Sequence, residues 1–191
     1  MSSAKSDALR PTLWRTCRGL ASKTRLRIFR ELCARPEQRV SDIARRLGMS
    51  LSLASQSLRA LNARGLLLAR RFGPSVYYSP CANRSIPNSA RLLQAIQKTF
   101  ANDKNPNENI FQYSTAFTHP RRILIIKILC KSPMQFEEIA FKTNIPPRAL
   151  SRHLRKLIAR GFLKRADCKR YICSVPQHEF ARFLLNLAKH A

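Results

Sequence analysis

Two sets of four polar side chains, one set in each half of the chain, have the chemistry needed to recognise base pairs. Arginine pairs with O6 and N7 of guanine, glutamine pairs with N6 and N7 of adenine, and serine contacts either bases or phosphates. The first set is Ser52, Ser55, Gln56 and Arg59, and the second is Arg148, Ser151, Arg152 and Arg155. At 100° per residue, each set falls on one side of a helix. The spacing therefore predicts two helices whose outer faces read duplex DNA in the major groove.

The opposite side of each of these helices is apolar. The apolar residues are Ala54, Leu58 and Leu61 in the first helix and Leu150, Leu154 and Leu157 in the second. Their periodicity predicts helices over residues 51–64 and 147–160, each of which ends at a glycine, Gly65 or Gly161. A polar outer face is common to every amphipathic helix, so the assignment to DNA depends on the elements around these two helices.

The segments before each helix complete a helix-turn-helix pattern. A longer helix is predicted over residues 23–34 and 120–131, and a short helix over residues 41–47. We expect Ser41 to cap the short helix and Gly48 to end it in the left-handed conformation. Asn144, which tolerates the same conformation, replaces Gly48 in the second half.

After each glycine the pattern changes to that of extended chain. Hairpins are predicted over residues 66–79 and 162–174. Each copy is predicted to end in an amphipathic helix, over residues 88–100 and 177–190, which we call the closing helices. A further helix is predicted before each copy, over residues 12–20 and 111–117. The order of helix, helix, turn, helix and hairpin is that of a winged helix-turn-helix. We therefore predict a mainly α fold with short β-hairpins (α+β), built from tandem winged helix-turn-helix domains.

An internal repeat with an offset near 96 residues supports two copies of one domain. For example, Ser55 and Leu58 recur as Ser151 and Leu154. The repeat unit is too long for a solenoid. The stretch between the copies is polar, rich in asparagine and interrupted by a proline, as linkers are. We predict domain 1 over residues 10–101, a linker over 102–109 and domain 2 over 110–191.

The charge balance points to a polyanionic partner. The chain carries 36 Lys and Arg against 10 Asp and Glu, a formal net charge of +26. The excess is spread evenly, because residues 1–96 hold 18 basic and 4 acidic residues while residues 97–191 hold 18 and 6. Lysine and arginine gain affinity for DNA by releasing the counterions of its phosphates. On the two hairpins, we expect phosphate contacts from Arg70, Arg71, Lys169 and Arg170.

Anionic membrane surfaces and a merely solvated basic surface are the alternative explanations for this charge. No stretch approaches 18 consecutive apolar residues, so no membrane span is expected. The segment Met1–Leu9 lacks the apolar core of a signal peptide, which favours a cytoplasmic protein, or a nuclear one if the source has a nucleus. The six cysteines are accordingly expected to be reduced thiols.

Enzymatic activity and a bound metal or cofactor are not expected. The sequence shows no Ser/His/Asp, Cys/His or paired-carboxylate constellation and no glycine-rich phosphate-binding loop. Cys168 and Cys173 are close in sequence, but no nearby histidine or second cysteine pair completes a zinc site.

The helix-turn-helix segments resemble one family, the ArsR-type bacterial transcriptional regulators. The resemblance lies in the run Leu47–Leu66, in the Ser-x-His-Leu step Ser151–Leu154 that is typical of the family, and in the run Leu20–Ile28. It covers about residues 20–80 and 117–175 and implies a winged-helix DNA-binding regulator. Metal-sensing members place cysteines in the helix before the recognition helix, and the runs Val40–Ile43 and Phe136–Ile139 contain none.

Members of that family usually carry one domain and dimerise through terminal helices. Two domains on one chain therefore imply a covalent pseudo-dimer, with a homodimer through the terminal helices as a further arrangement. Because the two base-reading sets differ, we expect an asymmetric DNA site. His153 is expected to be structural or to contact phosphate rather than to bind metal.

Two other functions are compatible with this fold. Winged helices also serve as protein-interaction or architectural modules, which bind DNA without sequence preference. Structured RNA, recognised by shape and 2′-hydroxyl groups, is the other polyanion to consider, although no RNA-binding motif is present in the sequence.

Overall fold

The computed structural model describes residues 12–191. The expectation for Met1–Leu9 and the start of predicted domain 1 at residue 10 lie outside these residues. Contacts divide the chain into two units. Among the described residues, the first unit contains Thr12 and residues 19–111, and the second contains residues 13–18 and 112–191. No helix within residues 12–191 is long and apolar enough to cross a membrane.

The elements follow the same order in both halves. In the first half they are α1 Leu13–Leu20, α2 Lys23–Ala34, β1 Gln38–Arg39, α3 Val40–Leu47, α4 Leu51–Asn62, β2 Leu68–Phe72, β3 Ser75–Ser79 and α5 Ser89–Asn102. In the second half they are α6 Pro106–Ser114, a 3-10 turn Thr115–Phe117, α7 Pro120–Leu129, β4 Met134–Gln135, α8 Phe136–Thr143, α9 Pro147–Ala159, β5 Leu163–Arg165, β6 Arg170–Cys173 and α10 Glu179–His190. Two winged helix-turn-helix domains in tandem are therefore confirmed.

The core of each unit is built from the apolar stripes of its helices. In the first unit, Phe29 and Leu58 are fully buried, and the Phe29 ring meets the Phe100 ring edge-on with centroids 5.9 Å apart. In the second unit, the rings of Phe117 and Phe162 meet at 4.6 Å. The buried leucines predicted for the two recognition helices are all at most 2% exposed, so the predicted core faces are confirmed.

Each wing is a three-stranded antiparallel sheet rather than the predicted two-stranded hairpin. The strand orders are β1-β3-β2 and β4-β6-β5. Gln38 pairs with Tyr78 and Arg39 with Tyr77 in the first sheet, and Met134 pairs with Tyr171 in the second. The extra strand in each sheet comes directly before the short helix, so the wing is hydrogen-bonded to the start of the helix-turn-helix.

The prediction that Ser41 caps the short helix is wrong. Helix α3 begins at Val40, and its N-cap residue is Arg39, which makes no side-chain cap hydrogen bond. The ladder between β1 and β3 holds the backbone of Arg39 extended, so the helix starts immediately after the strand. Gly48 does end α3 with φ +60°, and Asn144 ends α8 with φ +50°, as predicted.

Helix boundaries elsewhere differ from the predictions by a few residues, with one larger change. Helix α6 begins at Pro106, inside the segment predicted as a linker. The carbonyl of Asn105 accepts a hydrogen bond from the backbone N–H of Asn109. A proline in the first turn of a helix lacks only an N–H that would have no helical partner. Between α5 and α6, only residues 103–105 are non-helical.

Candidate nucleic-acid interface

Helix α4 presents the first predicted base-reading set. The hydroxyl of Ser50 caps the helix by accepting from the backbone N–H of Leu53 at 3.2 Å. Ser52, Gln56 and Arg59 are exposed, and Ser55 is half-buried. Nε2 of Gln56 donates to Oγ of Ser52 at 3.3 Å. That contact holds the Gln56 amide along the outer face of the helix.

Helix α9 presents the second set on an equally exposed face. Pro147 occupies the first turn, where its fixed φ suits a helix start. Arg148, Arg152 and Arg155 are exposed, and Ser151 is half-buried. The structure thus gathers three guanidinium groups on one helix, whereas the corresponding face of α4 carries Arg59 as its basic residue.

The exposure of two leucines on α4 was not predicted from the sequence. Leu51 is 58% exposed and Leu53 is 42% exposed, and both lie in the first turn of the helix. The amino-terminal part of a recognition helix is the part that reads bases. Apolar side chains there suit the methyl group of thymine. Helical phase gave a signal for Leu53, because it lies about 80° around the helix from Leu61, the nearest residue of the core stripe.

The first wing is basic and ends in an exposed aromatic ring. Arg70 and Arg71 are exposed on β2, as required for the predicted phosphate contacts. Phe72, at the end of the same strand, is 58% exposed. Its ring meets the Tyr77 ring edge-on with centroids 5.6 Å apart, so β3 supports it.

The second wing has a tip organised by a carboxylate. Asp167 accepts from the backbone N–H groups of Lys169 at 2.9 Å and Arg170 at 2.7 Å, and from Nε of Arg170 at 2.6 Å. These hydrogen bonds, led by that from the Lys169 N–H, lower the pKa of Asp167 to about 2. Lys169 and Arg170 are exposed, as predicted, but the Arg170 guanidinium is shared with Asp167.

The short helix α3, which precedes α4, is held in place by a hydrogen bond from an arginine of α2. Nη2 of Arg27 donates to the carbonyl of Leu47 at 3.2 Å. A cation at the carboxyl end of a helix interacts favourably with the helix dipole. Arg27 therefore fixes the turn between α3 and α4, which sets the angle at which the recognition helix is presented.

No group of three or more His, Cys, Asp or Glu side chains within residues 12–191 is arranged to hold a metal ion. The chemistry of both sites consists of charge and hydrogen-bond donors on a rigid helical surface. Such surfaces bind phosphates and base edges.

Comparison with known proteins identifies the domain type. Residues 22–67 and 119–165 each match the family described as bacterial regulatory protein, arsR family. The chain carries two ArsR-type regulatory domains in tandem. Each match begins at the start of the first long helix and includes the recognition helix. The first match ends at residue 67, just before β2, and the second ends at residue 165, the end of β5.

The chain is also similar to the HTH-type transcriptional regulator Rv0324 of Mycobacterium tuberculosis. The two are 41% identical over 94 residues, which cover 49% of this chain and 41% of that protein. The matched region therefore spans less than half of that relative's length.

Proposed function

We propose that this protein is a sequence-specific, double-stranded DNA-binding transcriptional regulator that acts without catalysis in the compartment that holds the DNA. The observation that carries the proposal is the exposure of both recognition-helix faces opposite a fully buried leucine stripe. The net charge of +26 and the ArsR type of both domains support it.

The two recognition helices should read different sequences. On α4, the exposed Leu51 and Leu53 suit thymine methyl groups, and Gln56 suits adenine. On α9, the three exposed arginines suit guanine O6 and N7. We therefore propose a bipartite site with an A/T-containing half bound by domain 1 and a guanine-containing half bound by domain 2.

Covalent linkage of the two domains lets one chain act as a pseudo-dimer. Dimeric helix-turn-helix proteins place their recognition helices in major-groove segments about 34 Å apart along the duplex. In this proposal the two domains play the parts of two subunits. The closing helices α5 and α10 are the candidate surfaces for pairing of two chains into a homodimer.

Selection from a random double-stranded DNA library tests sequence specificity. The full-length protein is incubated with the library at two salt concentrations, and the retained fraction is sequenced. An asymmetric motif retained at the higher salt is the expected result. A perfect palindrome bound by one chain would contradict the asymmetric site. Retention only at low salt, without a motif, would favour an architectural or protein-interaction role.

Charge reversal with a matched control tests the location of the DNA surface. Replacing Arg148, Arg152 and Arg155 by Glu should abolish DNA binding. The control replaces three exposed basic residues outside the recognition and closing helices, Arg30, Arg84 and Lys131, with the same change in net charge. If both triple variants lose affinity equally, the overall charge and not α9 binds DNA.

A further inference from the structure

A cluster of cationic and imidazole side chains lies beside the recognition helix of the second unit, next to the edge of the base-reading face that Arg152 forms. We call it the histidine–arginine cluster, and its members are Arg18, His119, Arg121, Arg122, His153 and Lys156. They come from three elements, which are α1, the amino-terminal end of α7 and helix α9. Within this cluster, the imidazole rings of His119 and His153 stack with centroids 4.7 Å apart.

Arg122 gives the cluster a buried hydrogen-bond donor without an acceptor in the described part of the chain. Nδ1 of His119 accepts from the backbone N–H of Arg121 at 3.1 Å, so the neutral ring carries its proton on Nε2. Arg122 donates from Nη2 to Oγ1 of Thr118. Its Nε is buried and has no hydrogen-bond partner among the described residues. A buried N–H without a partner is costly in a folded protein.

The electrostatics of the cluster are also unbalanced. Burial, together with the nearby His119, Arg122, Arg121 and Arg152, lowers the pKa of His153 to about 4. Burial and the neighbouring Arg160 and Arg122 lower the pKa of Lys156. Burial and the surrounding Arg122, Arg121 and Arg18 lower the pKa of His119.

Within the described residues, no carboxylate pairs with three of these cations. Arg121, Arg122 and Lys156 make none of the ion pairs found there. The acidic group closest in effect to Arg122 is the thiol of Cys17. Cys17 is fully buried, and burial raises its pKa well above the usual range, so it remains a neutral thiol at physiological pH.

The fold itself does not require the two histidines and the lysine of this cluster, because the first domain lacks them while keeping Arg25 at the position of Arg122. At the repeat offsets of 97 and 96 residues, Ser22 replaces His119 and Ser57 replaces His153. Ala60 replaces Lys156 in the same way. Two copies of one domain thus fold with and without the two imidazoles and the lysine, which indicates that these three side chains serve binding rather than folding.

We propose that the histidine–arginine cluster is a binding site for a phosphate group. A phosphate accepts several hydrogen bonds and carries up to two negative charges, which suits a site of several donors better than a single carboxylate would. The amino-terminal end of the ten-residue helix α7 adds the positive end of the helix dipole. The phosphate comes either from the DNA backbone or from a free phosphate or phosphate ester. The site itself does not depend on the proposed DNA-binding function.

Titration of the full-length protein with inorganic phosphate, followed by histidine NMR, tests the site. A bound phosphate favours the imidazolium form, so the pKa of His153 should rise by about one unit or more. Sodium chloride at equal ionic strength is the reference, and an equal shift in chloride would reduce the effect to charge screening and overturn the proposal. The His119→Ser and His153→Ser variants, which carry the first domain's residues, assign the signals.

Matched substitutions on α9 locate the phosphate. Lys156→Ala, which installs the residue of the first domain, should weaken phosphate binding by about tenfold. Arg155→Ala removes an exposed cation that lies 100° around the same helix from Lys156, and it should leave phosphate binding unchanged. Equal losses in both variants would mean a diffuse attraction to basic surface and would contradict a defined site.

A second titration with a duplex oligonucleotide distinguishes the two sources of phosphate. If the DNA backbone fills the site, the duplex raises the pKa of His153 and displaces inorganic phosphate. If a free phosphate or phosphate ester fills it, inorganic phosphate raises this pKa and the duplex does not. The proposal is overturned if neither does. A variant that carries both Arg148→Glu and Arg155→Glu should lose DNA binding but keep phosphate binding. The phosphate site can therefore be tested independently of the proposed DNA-binding function.

Discussion

The hydroxyl oxygen of Tyr77 on the first wing accepts a hydrogen bond from Nε of Arg39 at 2.5 Å. The Arg39 guanidinium also lies over the Tyr77 ring, 5.2 Å from its centroid. Arg39 is the residue that precedes helix α3. This one contact therefore connects the wing to the start of the helix-turn-helix, and Tyr77 in turn supports the exposed ring of Phe72.

Removing the Tyr77 hydroxyl should loosen the first wing without unfolding the domain. In Tyr77→Phe, the Arg39 guanidinium loses its hydrogen bond but keeps the ring. We expect faster amide exchange in β1 and β3 and a DNA affinity lower by roughly two- to fivefold, the scale of one exposed hydrogen bond. Hydrogen exchange and fluorescence anisotropy measure the two effects.

The second wing supplies the control for this substitution. The Tyr171 ring lies under the Arg165 guanidinium, 5.6 Å from its centroid, and its hydroxyl makes no hydrogen bond with the described residues. Tyr171→Phe should therefore leave both affinity and exchange unchanged. An equal loss of affinity in both variants would show that the Arg39 contact is not what orders the wing.

Gln56→Ala should change which DNA sequence is bound rather than how strongly DNA is bound in general. A bidentate contact to adenine contributes about 1–3 kcal/mol of discrimination. We expect loss of preference at one position of the domain 1 half-site, with the salt dependence of binding unchanged. Repeating the library selection with this variant measures the preference directly.

Arg70→Ala is the complementary variant. Because a phosphate contact carries no sequence information, affinity should fall for all sequences alike, and the salt slope should decrease by about one unit. If Arg70→Ala altered the selected motif while Gln56→Ala did not, the assignments of base reading and phosphate contact would have to be exchanged.

The sequence was informative wherever periodicity controls structure. The leucine stripes of α4 and α9 have a period that only a helix satisfies, and their burial follows from it. The left-handed ends at Gly48 and Asn144 were equally accessible, because few residue types tolerate a positive φ.

Features that depend on short or long-range pairing were not accessible in the same way. Strands β1 and β4 contain two residues each, which is too short for any period, and β1 displaced the predicted cap at Ser41. The stacked pair His119 and His153 is separated by 34 positions, so only the folded chain shows that their rings meet. The exposure of Leu51 was missed because leucine is ordinarily assigned to the core.

Gly65 and Gly161 follow the two recognition helices with similar backbone conformations but different surroundings. Both have positive φ, +72° and +77°. A Cβ at Gly65 would lie 2.7 Å from Cδ1 of Ile86, whereas a Cβ at Gly161 would meet nothing within 4 Å. Gly161→Ala should therefore cost only the backbone term, about 1–2 kcal/mol, and Gly65→Ala should cost more.

Urea unfolding followed by circular dichroism compares these two variants. Each substitution should lower the midpoint of one domain, and the larger decrease should occur in Gly65→Ala. An equal decrease would show that Ile86 moves aside without cost. A larger decrease in Gly161→Ala would contradict the packing difference between the two sites.

Asp167 should control the order of the second wing in a pH-dependent way. Its hydrogen bonds hold the folded-state pKa at about 2, below the ordinary value of 3.8. A carboxyl group with a depressed pKa stabilises the folded form above pH 3.8 and loses that contribution as the pH falls through about 2. The carboxyl carbon of Asp167 should titrate by NMR with a midpoint near that lower value, and the Lys169 and Arg170 amides should exchange faster once it is protonated.

Asp167→Ala should loosen the turn of the second wing at neutral pH, with opposing effects on DNA binding. The lost negative charge favours DNA, while loss of both carboxylate oxygens leaves the backbone N–H groups of Lys169 and Arg170 without their acceptor. Asp42→Ala makes the same charge change on helix α3, where Asp42 pairs with Arg45 at 2.5 Å. Since only Asp167 organises a predicted DNA-contacting turn, we expect weaker specific binding in Asp167→Ala than in Asp42→Ala. Equal affinities of the two variants would show that charge alone decides.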